Sequence, residues 1–134
     1  MGTQEPRLRV VVADDHPAIR AQLRTLLNAE PDLEVVGTGW NGMEAIRLVH
    51  QLEPDVLVAD QDMDDLGGME VAAHLGVAGI EIRVVLYTTN DAEEQLVGDR
   101  ETADCAFGEE SIDALVTAIR RRRMPQPASH LTQP

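Results

Sequence analysis

The chain has 134 residues, 43% of them hydrophobic, so it can form one domain of ordinary size around an aliphatic core. Its 24 acidic and 11 basic residues give a formal net charge of -13, which argues against nucleic acid as a direct ligand because phosphate contacts need a basic face. The single Cys excludes an internal disulfide, and no apolar run approaches the roughly 20 residues that a bilayer requires, so we expect a cytoplasmic protein without a membrane partner.

The first half of the chain alternates apolar strands with amphipathic helices. Leu8–Ala13 is rich in β-branched residues and predicts a strand. Pro17 then opens a helix with apolar side chains at helical spacing, and Pro31 stops it. Residues 33–36 predict a short second strand. Asn41, with a Glu three residues later, resembles a capping box and predicts the start of a second helix.

The second half continues the same alternation. Residues 56–59 are an unbroken apolar run that ends at Asp60, as expected for a strand buried on both faces. A weaker helix follows two consecutive glycines, and residues 82–87 predict a fourth strand. Three further elements complete the prediction: a weakly anchored helix at residues 91–99, a short strand at residues 103–107, and a final helix capped by Ser111.

Five strands that alternate with five helices predict a doubly wound α/β fold with a parallel sheet and right-handed crossovers. We assign residues 1–123 to this domain. Residues 124–134 contain several prolines and no hydrophobic periodicity, so we expect a linker or tail there.

Polar side chains close three of the predicted strands. Asp14 and Asp15 follow the first strand, Asp60 closes the third, and Thr88 closes the fourth. Any one Asp at a strand end is more often a turn residue than a functional one. The carboxyl ends of parallel strands share one edge, however, and three carboxylates there would repel one another unless a cation lies among them. Such oxygen ligands favour Mg²⁺, and a carboxylate beside Mg²⁺ can attack phosphorus to form an aspartyl phosphate.

From about residue 8 to residue 123, the chain resembles the receiver domain of bacterial two-component response regulators. The resemblance rests on VVVADDHPAIR, LEPDVLVADQDM, VVLYTT and the final helix. The DDHP element resembles the NarL/FixJ type, whose receivers precede a LuxR-type helix-turn-helix domain. The resemblance implies a flavodoxin-like sheet of order 2-1-3-4-5. It also implies site roles: Asp60 as phosphoacceptor, Thr88 as switch hydroxyl, and Asp14, Asp15, Asp60 and the main-chain carbonyl of Asp62 as Mg²⁺ ligands.

The resemblance also implies partners: a sensor histidine kinase or other protein, a second copy of the chain, and DNA only through a domain absent from this chain. Two positions depart from the family pattern. Gly108 stands where the family has a Lys that bonds a phosphoryl oxygen, and Cys105 stands where it has a switch aromatic. The chain contains no Lys at all. An atypical receiver that phosphorylates poorly is therefore expected.

Two alternative functions stay open at this point. A phosphorylation-independent module for protein interaction or ligand binding can use the same fold. The spacing of Asp60 and Asp62 also fits the first motif of haloacid-dehalogenase-type phosphatases, but that family needs a basic residue and a longer chain. We expect a signalling domain and not an enzyme. Outside the acidic site, His16 is expected to be a surface or loop residue and Trp40 to be partly buried.

Overall fold

The computed structural model describes residues 7–87 and 109–121. Strands and helices alternate through these residues, as the sequence predicts. The elements are β1 (Leu8–Ala13), α1 (Pro17–Asn28), β2 (Leu33–Gly39), α2 (Gly42–Leu52), β3 (Val56–Asp60), α3 (Gly68–Val77), β4 (Arg83–Tyr87) and α4 (Glu109–Arg121).

The four described strands form one parallel sheet in the order β2-β1-β3-β4. This order confirms the corresponding part of the predicted arrangement 2-1-3-4-5. Parallel neighbours need a crossover, and here each crossover is a helix. The predicted helix at residues 91–99 and the predicted strand at residues 103–107 lie outside the described residues.

Helices cover both faces of the sheet, which explains the unbroken apolar runs of the strands. Val10 and Val12 of β1 belong to one core cluster with residues of α1 and α4. Val11 and Ala13 belong to a second cluster with residues of α2 and α3. All four side chains are fully buried. Because successive residues of a strand point to opposite faces, a strand covered on both sides has no solvent-facing position for a polar residue.

One of two predicted boundaries near the second strand differs from the structure. α1 ends at Asn28, before Pro31 as predicted, and the Asn28 side chain accepts a hydrogen bond from the N–H of Val35, 2.8 Å away. β2 extends to Gly39, beyond the apolar residues that predict it. A Cβ atom at Gly39 would lie 3.0 Å from the Cγ of Glu44, so a residue without a side chain lets α2 approach the end of the strand.

The predicted cap of the final helix is wrong. α4 begins at Glu109, so Ser111 lies inside the helix. Serine is favoured at caps but tolerated in helices, and the preceding pair of glutamates also suits a first helical turn. The predicted cap of the second helix is confirmed, because the Asn41 side chain accepts the N–H of Glu44 at 2.8 Å.

Arg9 holds the amino-terminal edge of the sheet to the end of α2. Its guanidinium donates to the carbonyl oxygens of Leu52 at 2.7 Å and Glu53 at 3.0 Å. Its main-chain N–H donates to the Asp55 carboxylate at 2.8 Å. A cation at the carboxyl end of a helix is favourable because the last carbonyls lack partners there.

The strand register determines which side chains meet at the opposite edge. Ala13 of β1 pairs with Ala59 of β3, and Asp60 pairs with Tyr87 of β4. Asp14 and Asp60 therefore leave adjacent strands at the same level.

Among the described residues, no helix has both the length and the apolar character needed to cross a membrane.

Candidate metal centre

Four side chains meet at the carboxyl edge of the sheet, three of them the acids that the sequence predicts. Asp14, Asp15, His16 and Asp60 each offer one ligand atom, and these atoms all lie within 4.8 Å of one another. Asp14 and Asp60 are fully buried, while Asp15 is partly exposed. The predicted convergence of the acidic residues from two strands is thus present in the structure.

Asp14 is held by hydrogen bonds to both carboxylate oxygens. Its Oδ1 accepts the backbone N–H of His16 at 2.8 Å and lies 2.9 Å from the His16 Nδ1. Its Oδ2 accepts the hydroxyl of Tyr87 at 2.5 Å. Since the side chain is fully buried, these donors replace the water that would otherwise solvate its charge.

Asp60 is less well satisfied. Its Oδ1 accepts the backbone N–H of Asp62 at 3.0 Å, but its Oδ2 is buried without a hydrogen-bond partner. Burial, together with the negative charges of Asp14, Asp62 and Asp15, raises the pKa of Asp60 to about 7, and the Asp62 N–H opposes this rise. No hydrogen-bond donor among the described residues therefore satisfies Asp60 Oδ2.

His16 lies in a loop and is exposed, as the sequence predicts, but it also belongs to this cluster. Its side chain is 53% exposed, but its Nδ1 lies 3.2 Å from Asp15 Oδ1 and 4.0 Å from Asp60 Oδ2. The hydrogen bond with Asp14 raises the pKa of His16, burial opposes this, and the charges of all three acids add to it. Position next to Asp15 was available in the sequence, but no metal-ligand spacing pointed to the ring.

The donor set fits a hard divalent cation. Three carboxylates supply oxygen ligands, and the unpartnered Oδ2 of buried Asp60 is an acceptor that a cation would satisfy. Oxygen donors of this kind favour Mg²⁺, which keeps several of its waters and can bind a phosphate oxygen. Such a cation would also oppose the effects of burial and of the neighbouring negative charges, which together raise the pKa of Asp60.

A shallow cleft of about 290 Å³ adjoins Asp15. Arg20 and Trp40 line it, together with acidic residues of the loop that follows β3. The Arg20 guanidinium donates to the main-chain carbonyl of Asp14 at 2.8 Å. Trp40 is 56% exposed, so the expectation that it is partly buried understates its exposure. A positive charge therefore lies near the acidic cluster, although it belongs to α1.

Several predicted site residues are not placed by the structure. Thr88, Cys105 and Gly108 lie outside the described residues, so their predicted roles stay predictions. Asp62 is exposed, and its backbone N–H binds Asp60. The predicted role of its main-chain carbonyl as a metal ligand also stays a prediction.

Tyr87 is a further site residue that the sequence does not indicate. The sequence places it only in the fourth strand, yet its hydroxyl reaches Asp14 across a sequence separation of 73 residues. The available signal was indirect: a Tyr at the end of a strand buried on both faces needs a partner for its hydroxyl.

Residues 10–104 match the family described as the response regulator receiver domain. The chain is 33% identical over 97 residues to the nitrate/nitrite response regulator protein NarL of Escherichia coli K12. The aligned region covers 72% of this chain and 44% of that protein. The chain is 38% identical over 84 residues to a protein-glutamate methylesterase/protein-glutamine glutaminase of Nocardioides, covering 63% of this chain and 23% of that protein. The chain thus spans less than half of each of these relatives.

A solved structure supports the same assignment. The signal receiver domain of the putative response regulator NarL from Mycobacterium tuberculosis matches with a TM-score of 0.62 and 33% identity, over 65% of this chain and 70% of that one. The parallel sheet order, the acidic residues at its carboxyl edge and the sequence similarity all indicate the same family. The chain belongs to the response regulator receiver domain family, and its similarity is to receivers of the NarL type.

Proposed function

We propose that this receiver accepts a phosphoryl group on Asp60 with Mg²⁺ bound by Asp14, Asp15, Asp60 and the main-chain carbonyl of Asp62. The observation that carries the proposal is the buried, unpartnered Oδ2 of Asp60 beside two further carboxylates. Thr88, which follows β4, is proposed to donate its hydroxyl to the phosphoryl group. Bound Mg²⁺ supplies charge neutralisation for the phosphoryl oxygens.

Asp60 acts as the nucleophile in this reaction. One ionised carboxylate oxygen of Asp60 forms a bond to phosphorus while the bond between phosphorus and the donor's leaving group breaks, and the leaving group departs with the electron pair. The other carboxylate oxygen would stay available to the cation. The product is an acyl phosphate on Asp60. Asp14 and Asp15 would hold the cation, whose charge would offset the negative charge of the transferred group.

Phosphorylation should be slow because the chain has no Lys. The family resemblance implies a Lys that bonds a phosphoryl oxygen, and Gly108 stands at that position. Losing one electrostatic donor costs about 2 to 4 kcal/mol of transition-state stabilisation, which is roughly a 30-fold to 1000-fold slower reaction. The Arg20 guanidinium is already bonded to the main-chain carbonyl of Asp14, so we do not assign it the role of the missing Lys.

Intact-mass measurement after incubation with Mg²⁺ and acetyl phosphate tests the proposal. We expect slow addition of one phosphoryl group, none with Asp60→Asn, and none in excess EDTA. Asp64→Asn is the matched control, because Asp64 is an exposed acid in the same loop and should leave the addition unchanged. No phosphoryl addition to the wild-type chain under prolonged incubation would contradict the proposal.

A second candidate function is a phosphorylation-independent interaction module. The complete burial of Asp60 and the absence of Lys favour it. Beryllofluoride, which mimics a bound phosphoryl group, distinguishes the two functions. A change in oligomeric state upon its binding supports a phosphorylation switch, and binding without such a change supports the second candidate.

We regard the chain as a signalling module and not an enzyme. Turnover of a generic phosphomonoester would reveal a haloacid-dehalogenase-like phosphatase instead.

For the whole protein, we propose that residues 1–123 form the receiver and residues 124–134 a linker or tail that leads to a DNA-binding domain. A sensor histidine kinase would then supply the phosphoryl group, and pairing of two receivers would control the output. The support is the similarity to NarL of Escherichia coli, of which the matching region is 44%. The strongly acidic composition also leaves DNA contact to another domain.

A further inference from the structure

Tyr87 is a buried polar group that the proposed phosphoryl transfer does not use. It is the largest of the fully buried side chains among the described residues, and it lies at the end of β4 opposite Asp60. Its ring packs in the core cluster that contains residues of α1 and α4. Its hydroxyl reaches out of that cluster to Asp14 Oδ2 at 2.5 Å. The Tyr87 ring thus lies in the hydrophobic core, while its hydroxyl contacts the acidic residues at the carboxyl edge of the sheet.

The position of the Tyr87 hydroxyl is fixed from both sides. The main chain is held by the pairing of Tyr87 with Asp60 and by the Gln61 N–H, which donates to the Tyr87 carbonyl at 2.8 Å. The ring is enclosed by aliphatic side chains, so its χ angles cannot change without opening the core. A donor on such a rigid support determines the orientation of its acceptor more strictly than a flexible side chain would.

Asp14 needs such a donor if it is to be a metal ligand. A buried carboxylate that lacks a partner can rotate or take up a proton, and either change removes a ligand oxygen from a shared cation. His16 contacts only Oδ1 of Asp14, so Tyr87 accounts for the other oxygen. The phenol also carries no positive charge, and it therefore orients Asp14 without adding a cation that would compete with a metal.

We infer that Tyr87 is a positioning residue for the cation site, whose hydroxyl holds Asp14 in the orientation in which Asp14, Asp15 and Asp60 share one divalent cation. This inference rests on the proposed function, because it assumes that the acidic edge binds Mg²⁺. It adds a residue from β4 that acts through Asp14 and does not touch the phosphoryl group.

Tyr87→Phe removes the hydroxyl and keeps the ring. We expect its Mg²⁺ dissociation constant, measured by titration calorimetry on the full 134-residue chain, to rise about tenfold, the size typical for loss of a partner that orients a metal ligand. Val85→Ala is the matched control, since Val85 is a fully buried residue of the same strand and cluster. It should lower the unfolding temperature in EDTA without changing the Mg²⁺ dissociation constant.

A spectroscopic measurement covers the case in which Tyr87→Phe does not fold. The chain has one Tyr, so incorporated fluorotyrosine gives a single fluorine NMR signal from this position. We expect that signal to shift on Mg²⁺ addition to the wild-type chain and not with Asp14→Asn. Equal Mg²⁺ affinity of folded Tyr87→Phe and wild type, or a fluorine signal that ignores Mg²⁺, would overturn the inference. Failure of the wild type to bind Mg²⁺ would defeat the proposed function as well, and the two results are distinguishable.

Discussion

Asp65 accepts a hydrogen bond from the backbone N–H of Gly42 at 2.9 Å, across 23 positions of sequence. The same carboxylate accepts the N–H of Met43 at 3.0 Å and that of Leu66 at 2.6 Å. Gly42 and Met43 are the first residues of α2, whose early N–H groups have no partners within the helix. The acidic loop after β3 thus serves the start of α2 as well as the cation site.

Asp65→Ala should destabilise the fold by about 1 to 2 kcal/mol, the usual cost of removing a helix cap. The exposed neighbour Asp64 provides the control, because Asp64→Ala removes the same charge from the same loop without removing these bonds. Urea unfolding monitored by circular dichroism measures both variants. An equal midpoint for the two would show that the contacts of Asp65 contribute nothing to stability.

The stabilisation by Asp65 should depend on pH in acid. Burial raises the pKa of Asp65, but the N–H groups of Gly42, Met43 and Leu66 together lower it below its ordinary 3.8. The stabilisation is therefore complete above about pH 4 and disappears as the pH falls through the lowered pKa. The difference in stability between wild type and Asp65→Ala should shrink on acidification below about pH 4.

Asp60 should have the opposite effect on stability in the absence of metal. Its pKa is about 7 in the folded protein, mainly because of burial, against an ordinary value of 3.8. The folded protein therefore binds this proton more tightly than the unfolded chain, and stability falls as the pH rises from about 4 to 7. The loss is on the order of 3 to 4 kcal/mol in total. Thermal unfolding in EDTA across this range measures it.

Two further measurements distinguish the titration of Asp60 from a general dependence of stability on pH. Asp60→Asn removes the titrating group, so its unfolding temperature should depend much less on pH over the same range. Mg²⁺ should raise the wild-type unfolding temperature most at about pH 8, where Asp60 is ionised. A wild-type profile that runs parallel to that of Asp60→Asn would refute the assignment.

Two glycines of α3 should respond to alanine in opposite directions. A Cβ atom at Gly76 would meet nothing within 4 Å, so Gly76→Ala should stabilise the protein by about 0.5 to 1 kcal/mol through helix propensity. A Cβ atom at Gly68 would lie 2.6 Å from Leu86 Cδ2 and 3.1 Å from the Asp60 carbonyl oxygen, so Gly68→Ala should destabilise it by about 1 to 3 kcal/mol. Denaturant midpoints decide both, and the same sign for the two would contradict the packing.

Arg120 ties α4 to the turn before β2. Its Nε and Nη2 donate to the two carboxylate oxygens of Asp32, each at 2.8 Å, and Nη2 also donates to Glu30 at 2.8 Å. The hydrogen bonds from Arg120 lower the pKa of Asp32. The groups are partly exposed, so Arg120→Ala should cost only about 0.5 to 1 kcal/mol, and less in high salt. The exposed Arg121 is the control: Arg121→Ala should change stability little.

The described strands and most helices were predictable because their signals are local. The apolar runs of β1 and β3 are consequences of burial on both faces, and Asn41 is a cap that needs only the N–H of Glu44. The prediction that Ser111 caps the final helix was wrong because serine occurs both at caps and inside helices. The helix already begins at Glu109, two residues before Ser111. Local preference cannot decide between two starts that are only one half-turn apart.

The acidic half of the site was predictable for a different reason. Strand ends of a parallel sheet must share an edge, so Asp14 and Asp60 could be brought together from topology alone. The contact between Tyr87 and Asp14 could not be, because it depends on the register between strands and on the depth at which one ring packs. The same holds for Asp65, whose partners lie on a helix that precedes it by a whole strand.

The contacts of Arg9 imply that motion in this domain is unequal at its two ends. Arg9 joins β1 to the end of α2 and to Asp55 through direct hydrogen bonds at the amino-terminal edge. At the carboxyl edge, Asp60 Oδ2 has no hydrogen-bond partner among the described residues. Amide hydrogen exchange should therefore be slow at Asp55, whose N–H donates to Arg9, with or without Mg²⁺. Cation-dependent protection should be confined to the rim that carries Asp60.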